Sequence, residues 1–172
     1  MKVDTNKLRA ADVFRARGDV RFYLNGIRIN KNYIESTDGH RAVRMDSGLK
    51  TRLDVIIRFN GRIPKSAIKT KLSFKKGENV AYHYDGFNAL ISVQIFELID
   101  GKFPDLNKVI PDDFKVGEMP SLQAKYVGDI DKAFRRSNRD FITVKPVHCG
   151  KNDKVVYEFK DGIINTLFGT PM

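Results

Sequence analysis

Apolar residues recur at helical spacing in two stretches and alternate with polar ones over most of the rest. Residues 5–17 read as a helix, with Leu8, Ala11 and Phe14 on one stripe and Lys7, Arg9, Arg15 and Arg17 as its cations. Asp4 or Thr5 can cap its first turn, and Gly18 is placed to end it in a left-handed conformation. Residues 20–29 mix β-branched and aromatic side chains and predict a strand, with 30–32 as the turn. Residues 33–45 predict extended chain broken at Asp38-Gly39. A strand follows over 55–59, ended by Asn60-Gly61, and Pro64 opens a short helix through about Leu72. Residues 79–84 and 89–98 predict a hairpin turning at Asp85-Gly86. In its second strand, Ile91, Val93 and Ile95 alternate with Ser92 and Gln94, the pattern of a half-buried strand with the apolar residues inward.

Residues 111–120 hold two prolines, Gly117 and three acidic residues with little periodicity, and predict a linker. The pattern then restarts with a strand at 121–124, a helix over 126–138, and strands near 142–147, 155–159 and 163–168. The helix places Tyr126, Ile130, Ala133 and Phe134 on a core stripe. Lys125, Asp129, Lys132, Arg136 and Arg139 fall on another face, so the helix presents a positive stripe. Clustered strands separated by hairpin turns predict an α+β fold with antiparallel sheet rather than a parallel βαβ arrangement.

Charge changes the picture more than composition does. The 172 residues carry a net charge of +10, which favours polyanionic partners, nucleic acid first. Cys149 is the single cysteine, so no internal disulfide forms, as in a reducing cytoplasm. No stretch approaches the roughly 20 apolar residues of a bilayer span, so a cytoplasmic protein without membrane partners is expected.

Enzyme chemistry finds little support. His40, His83 and His148 lack metal-ligand spacing, and the adjacent pair His148-Cys149 has no orienting group. Gly61-Arg-Ile-Pro-Lys-Ser66 lacks the glycine before lysine of a phosphate loop, and Pro64 removes a backbone donor. Neither a catalytic residue, a cofactor nor a metal is expected.

Collinear motifs carry a resemblance. Asp19-Val-Arg-Phe-Tyr-Leu-Asn-Gly26, Ser36-Thr-Asp-Gly-His-Arg-Ala-Val43, Leu98-Ile-Asp-Gly-Lys-Phe-Pro-Asp105, Val109-Ile-Pro111, Ala124-Lys-Tyr-Val-Gly-Asp-Ile-Asp-Lys-Ala-Phe134 and the final Pro171-Met172 occur in this order. Together they resemble the bacterial DNA polymerase III beta subunit, the sliding clamp. The resemblance implies the DNA-clamp fold, helices packed on antiparallel sheets, in about one and a half clamp domains. Residues 1–111 would resemble the second domain, 112–120 would be a linker, and 121–172 would resemble the C-terminal half of the third.

The same resemblance implies a non-enzymatic processivity platform in DNA replication. It would bind double-stranded DNA without sequence preference and dock a DNA polymerase or other clamp-binding-motif proteins. Leu24, Thr37, Gly39, His40, Arg41, Ala42, Pro104, Lys108, Val109, Phe168, Pro171 and Met172 match the clamp's peptide-binding pocket. Ala42 stands for a larger apolar residue there, and Lys108 for an arginine. Arg15, Arg17, Lys65, Lys69, Lys132, Arg136 and Arg139 would contact DNA phosphates. Three half-domain units per chain would let four copies close a ring, a homo-oligomer of the usual symmetric kind. The alternative is a mimic that does not encircle DNA, binds clamp-binding peptides and competes with a full-length clamp.

Taken singly, the motifs also have plainer readings. Asp38-Gly39 is ordinary turn chemistry, and Leu24 and Val109 are ordinary core candidates.

Overall fold

The computed structural model describes residues 1–75, 77–111, 113–118, 121–135, 143–148 and 155–159. Ten strands and two α-helices are found among them: β1 (Lys2–Asp4), α1 (Thr5–Phe14), β2 (Ile27–Ile29), β3 (Tyr33–Thr37), β4 (Ala42–Asp46), β5 (Val55–Phe59), β6 (Lys69–Lys75), β7 (Glu78–Tyr84), β8 (Leu90–Ile99), α2 (Ala124–Phe134), β9 (Val144–His148) and β10 (Val156–Phe159). No helix among them is long and apolar enough to cross a membrane.

Eight strands form one antiparallel sheet in the order β1-β6-β7-β8-β5-β2-β3-β4, and β9 pairs with β10. The ten-residue β8 is the seam. Its first part pairs with β7, with Val93 opposite Tyr82 and Ile95 opposite Val80, while its second part pairs with β5, with Phe96 opposite Phe59 and Ile99 opposite Ile56. One strand thus joins two four-stranded halves.

Both helices lie on one face of this sheet. α1 buries Leu8, Ala11 and Phe14 against Ile27, Ile29, Ile34 and Met45, removing their apolar surface from water. Ile130 of α2 joins the same core, as do Val155 and Tyr157 of the β10 region. The described parts of α2 and β10 therefore share one core with α1.

The helix side is pinned by polar contacts as well. Thr5 and Thr70 share a 2.7 Å hydroxyl hydrogen bond, and the Ser36 hydroxyl donates to the Ala11 carbonyl at 2.6 Å. Thr70, His83, Gln94 and Ser36 therefore point toward the helices. By strand alternation, Lys69, Lys71, Tyr82, Val93, Ile95 and Glu35 point the other way, to the outer face.

Five elements differ from the sequence expectation. α1 stops at Phe14, where the backbone turns extended at Arg15, because Ala16 donates its N–H across to the Leu24 carbonyl at 2.9 Å. Gly18 does hold a positive φ of 79°, but in the loop beyond the helix. The predicted strand over 20–29 is a 3-10 turn (Phe22–Asn25) followed only by the short β2. Asn25 drives this, since its side chain accepts from the Asp19 N–H and donates to the Asp19 carbonyl, closing the loop. The predicted helix from Pro64 to Leu72 is a turn leading into β6, whose β1 and β7 partners on either side override helical spacing. Residues 121–124 form no strand, and α2 runs 124–134 rather than 126–138. The predicted strand at 163–168 lies outside the described residues.

The apolar alternation of β8 is inverted. Ile91, Val93 and Ile95 are 39%, 53% and 54% exposed on the outer face, and Ser92 and Gln94 point inward. The inward face instead needs polar groups. Gln94 meets His83 Nε2 at 3.2 Å and donates to the Asn60 carbonyl at 2.8 Å, while His83 Nδ1 meets the Thr70 hydroxyl at 2.9 Å. Thr5, Thr70, His83 and Gln94 form a connected polar chain in the core, and burial pushes the His83 pKa down.

Candidate functional site

The β3–β4 hairpin organises the first candidate region. Asp38 accepts the N–H groups of His40 and Arg41, each at 3.0 Å, and Gly39 takes a φ of 92° that a side chain would strain. The Thr37 hydroxyl donates to the Arg41 carbonyl at 2.7 Å and accepts from the Gly39 N–H. Thr37, Asp38 and Gly39 thus build the turn itself.

Arg41 is the joint of the molecule. Its guanidinium pairs with Asp38 at 2.9 Å and with Asp129 of α2, and it donates to the Val13 carbonyl at 3.2 Å. It lies between the rings of Phe14 and Tyr126, 5.1 and 5.3 Å from their centroids. A buried cation so fully partnered clasps α1, α2 and the hairpin together. This corrects two expectations: Arg41 has no free donor face for a peptide, and Asp129 belongs to the interior instead of the solvated stripe. Asp129 falls in a charged run of α2, and only its partner 88 residues away explains its burial.

The segment after β8 covers the outer face of the other sheet half. Phe103 and Leu106 pack with Ala42, Ile56 and Val156 in a second apolar cluster. Beneath them, fully buried Glu35 pairs with Arg44 at 2.5 Å and Arg28 at 3.2 Å, and Arg28 also pairs with Asp54 at 2.7 Å. The Asp54 carboxyl is held below its usual range by Arg28. Arg44 reaches on to the Asn107 side chain at 2.7 Å, tying the segment down. Gly101 makes the reversal, with a φ of 145° and the Tyr23 side chain directly against it. Asp105 caps the following 3-10 turn (Leu106–Lys108) by accepting from the Asn107 N–H.

Of the expected pocket residues, Leu24 and Ala42 are buried, Pro104 is half-buried, and Lys108 and Val109 are exposed on the covering segment. His40 is exposed at the hairpin tip. Phe168, Pro171 and Met172 lie outside the described residues. Sequence reasoning missed Val20 and Phe22, large apolar side chains exposed beside this region. Phe22 lies against Gly101 and stacks edge-on with Tyr23 at 6.0 Å, while Arg21 of the same loop approaches Gly39. Apolar composition alone did not separate them from Leu24 of the same loop, which is buried. Arg21 holds the Asp19 carboxyl down to about 2 through a side-chain hydrogen bond. A shallow cleft of about 460 Å³ lies elsewhere, between Met1 and Leu53, and includes none of the expected residues.

The expected phosphate contacts divide. Lys132 is exposed on α2, and Arg17 is exposed beyond α1, both on the helix side of the sheet. Lys65 is exposed in the turn before β6, where Arg9 of α1 donates to its carbonyl. The Arg15 side chain is nearly buried, bonded to Asp12 at 2.6 Å and to the Ala16 and Asn25 carbonyls, so it adds no exposed cation on the helix side. Lys69 points to the outer face, opposite the helices, because β6 is a strand and Thr70 takes the inner position. Arg136 and Arg139 lie outside the described residues. Lys125, exposed on α2, adds a cation on the helix side. No group of three or more His, Cys, Asp or Glu side chains able to hold a metal occurs among the described residues.

Comparison with known proteins fits this geometry. No family model matches the chain. The Beta sliding clamp of Pseudomonas aeruginosa is 30% identical over 122 residues, covering 64% of this chain and 33% of that protein. DNA polymerase III subunit beta from Borrelia burgdorferi superposes with a TM-score of 0.67 at 13% identity, over 100% of this chain and 63% of that one. The beta subunit from Thermotoga maritima gives 0.63 at 12% identity, over 98% and 63%. The chain thus spans a third of the curated relative and under two thirds of each solved subunit. It has the DNA polymerase III beta clamp fold, an α+β fold with a curled antiparallel sheet.

Proposed function

We propose that this clamp-like chain is a DNA-binding processivity platform, assembled around the duplex with α1 and α2 toward it. The observation that carries the reading is the placement of both helices on one side of a single curled sheet, with Arg17, Lys125 and Lys132 exposed there. Cations on a rigid surface that make no base contacts bind phosphate without reading sequence, as a tracking protein requires. Polymerase-type partners then dock by an apolar peptide at the hairpin and covering segment, where Thr37, Gly39, His40, Ala42, Pro104, Lys108 and Val109 lie with exposed Phe22.

The test is binding of a mixed-sequence duplex by fluorescence anisotropy over a salt series. Three to four neutralised phosphates give a slope of log K against log salt of about −3. Lys125→Glu with Lys132→Glu should flatten that slope by about 2. Affinity that ignores salt contradicts the reading.

A second reading has its own observation. Helix-side cations already face carboxylates: Arg17 meets Asp12 at 3.1 Å, Lys132 meets Asp129 at 3.7 Å and Arg135 meets Asp131 at 2.7 Å. Such pairing thins the positive surface and suits a mimic that binds clamp-binding peptides without encircling DNA. Peptide binding without DNA binding selects it.

A further inference from the structure

α2 breaks a local rule on its exposed face. Gly128 lies near the middle of this helix, where glycine gives up stability that alanine would keep. Its backbone does not ask for glycine, since it is absent from the positions with positive φ. Packing does not ask for it either. A Cβ placed there would meet no atom within 4 Å among the described residues outside its own helix. The position is exposed, while Tyr126, Asp129 and Ile130 turn inward.

The neighbours on the same stripe are cations. Lys125 and Lys132 stand three residues before and four residues after Gly128, and both are exposed. They are separated by about 10 Å along the helix axis, with Gly128 between them. Lys132 runs back along the helix, its ammonium 3.7 Å from the Asp129 carboxylate, so its charge lies level with the turn that holds Gly128. The nearby carboxylates are engaged elsewhere. Arg41 holds Asp129 in the interior, and Arg135 holds Asp131 at 2.7 Å. The stripe is thus a saddle, with bare backbone at its centre and a lysine on either side.

We propose that Gly128 is where a strand of the duplex comes closest to α2, its phosphates lying in the saddle between Lys125 and Lys132. The inference rests on the reading of α2 as duplex-facing, and adds the residue that sets the distance. Each lysine reaches toward phosphate on a flexible four-carbon stem, and the attraction falls as the charges separate. A side chain at position 128 would hold the strand away from both ammonium groups and keep water between them. The empty position gives up helix stability for close contact, a local rule broken where binding needs it.

The test is duplex binding by anisotropy over a salt series with Gly128→Leu, set beside its Tm. Leucine is a strong helix former without charge, so the Tm should equal or exceed that of the wild type. Duplex affinity should nevertheless fall by about fivefold or more, because both lysines are held off the phosphates. Most of the salt slope should remain, since no cation is lost. Gly128→Ala should raise the Tm with a smaller loss of affinity. The same leucine at exposed Val127, off the stripe, should leave affinity unchanged. Wild-type affinity in Gly128→Leu overturns the inference and leaves the duplex reading standing. An equal loss in Val127→Leu also overturns it, because the effect then belongs to the helix as a whole. Absent or salt-independent binding by the wild type overturns the inference and the duplex reading together.

Discussion

The two halves of the sheet solve burial in opposite ways. Over β2–β5 the outer face is polar at its centre, with Glu35, Arg28 and Arg44, yet it is covered by Phe103 and Leu106. Over β6–β8 the outer face is aliphatic, yet it is exposed, and the polar groups His83, Thr70 and Gln94 sit inside. The difference teaches that amphipathic alternation states which residues share a face, but not which face meets solvent. A covering segment elsewhere in the chain decides that, and among the described residues it reaches one half only.

The comparison breaks most sharply at the joint that closes the covered half. Arg41→Met leaves Asp129 buried with only the solvent-exposed Lys132, at 3.7 Å, as its partner, and should cost about 3 kcal/mol in urea denaturation. Adding Asp129→Leu should recover most of it, because the uncompensated charge is then gone. Phe103→Ala opens the cover and should cost about 3 kcal/mol by the same measurement.

Between the halves, pH separates the buried polar groups. Burial lowers the His83 pKa, so the folded state favours neutral imidazole and the unfolded state takes the proton first. Stability should be full above the ordinary value of 6.5 and fall as pH drops below it, by at most about 1.4 kcal/mol per pH unit. His83→Gln should remove that component of the Tm profile between pH 7 and 5, leaving a flatter line. In the bare half, Val93→Ser removes little buried surface and should shift stability by no more than about 0.5 kcal/mol. A loss comparable to that of Phe103→Ala would mean that Val93 is core after all.

Much of the fold was legible in the chain. The 33–45 hairpin, the 55–59 strand, the 79–98 hairpin and the amphipathic helix holding Tyr126 and Ile130 stand where spacing put them. The misreadings have one physical root, long-range partners. β6 is a strand because β1 and β7 flank it, Asp129 is buried because Arg41 reaches it, and the β8 stripe faces out because His83 needs Gln94 within. The candidate site was legible as motifs but not as roles. Asp38, Gly39, Gly101 and Asp105 prove to be turn and cap residues, and Arg15 and Arg41 spend their donors inside the fold. Lys132, Arg17 and Lys65 remain exposed, and Lys125, read as part of the positive stripe but not among the phosphate contacts, joins them.

The central claim is that the helix side, not the outer face, meets DNA. Lysine acetylation read by mass spectrometry, with and without a mixed-sequence duplex at low salt, tests it most directly. The claim predicts that duplex protects Lys125 and Lys132 while Lys69 and Lys71 stay as reactive as in the free protein. Protection of Lys69 and Lys71 instead, or none at any lysine, would contradict it.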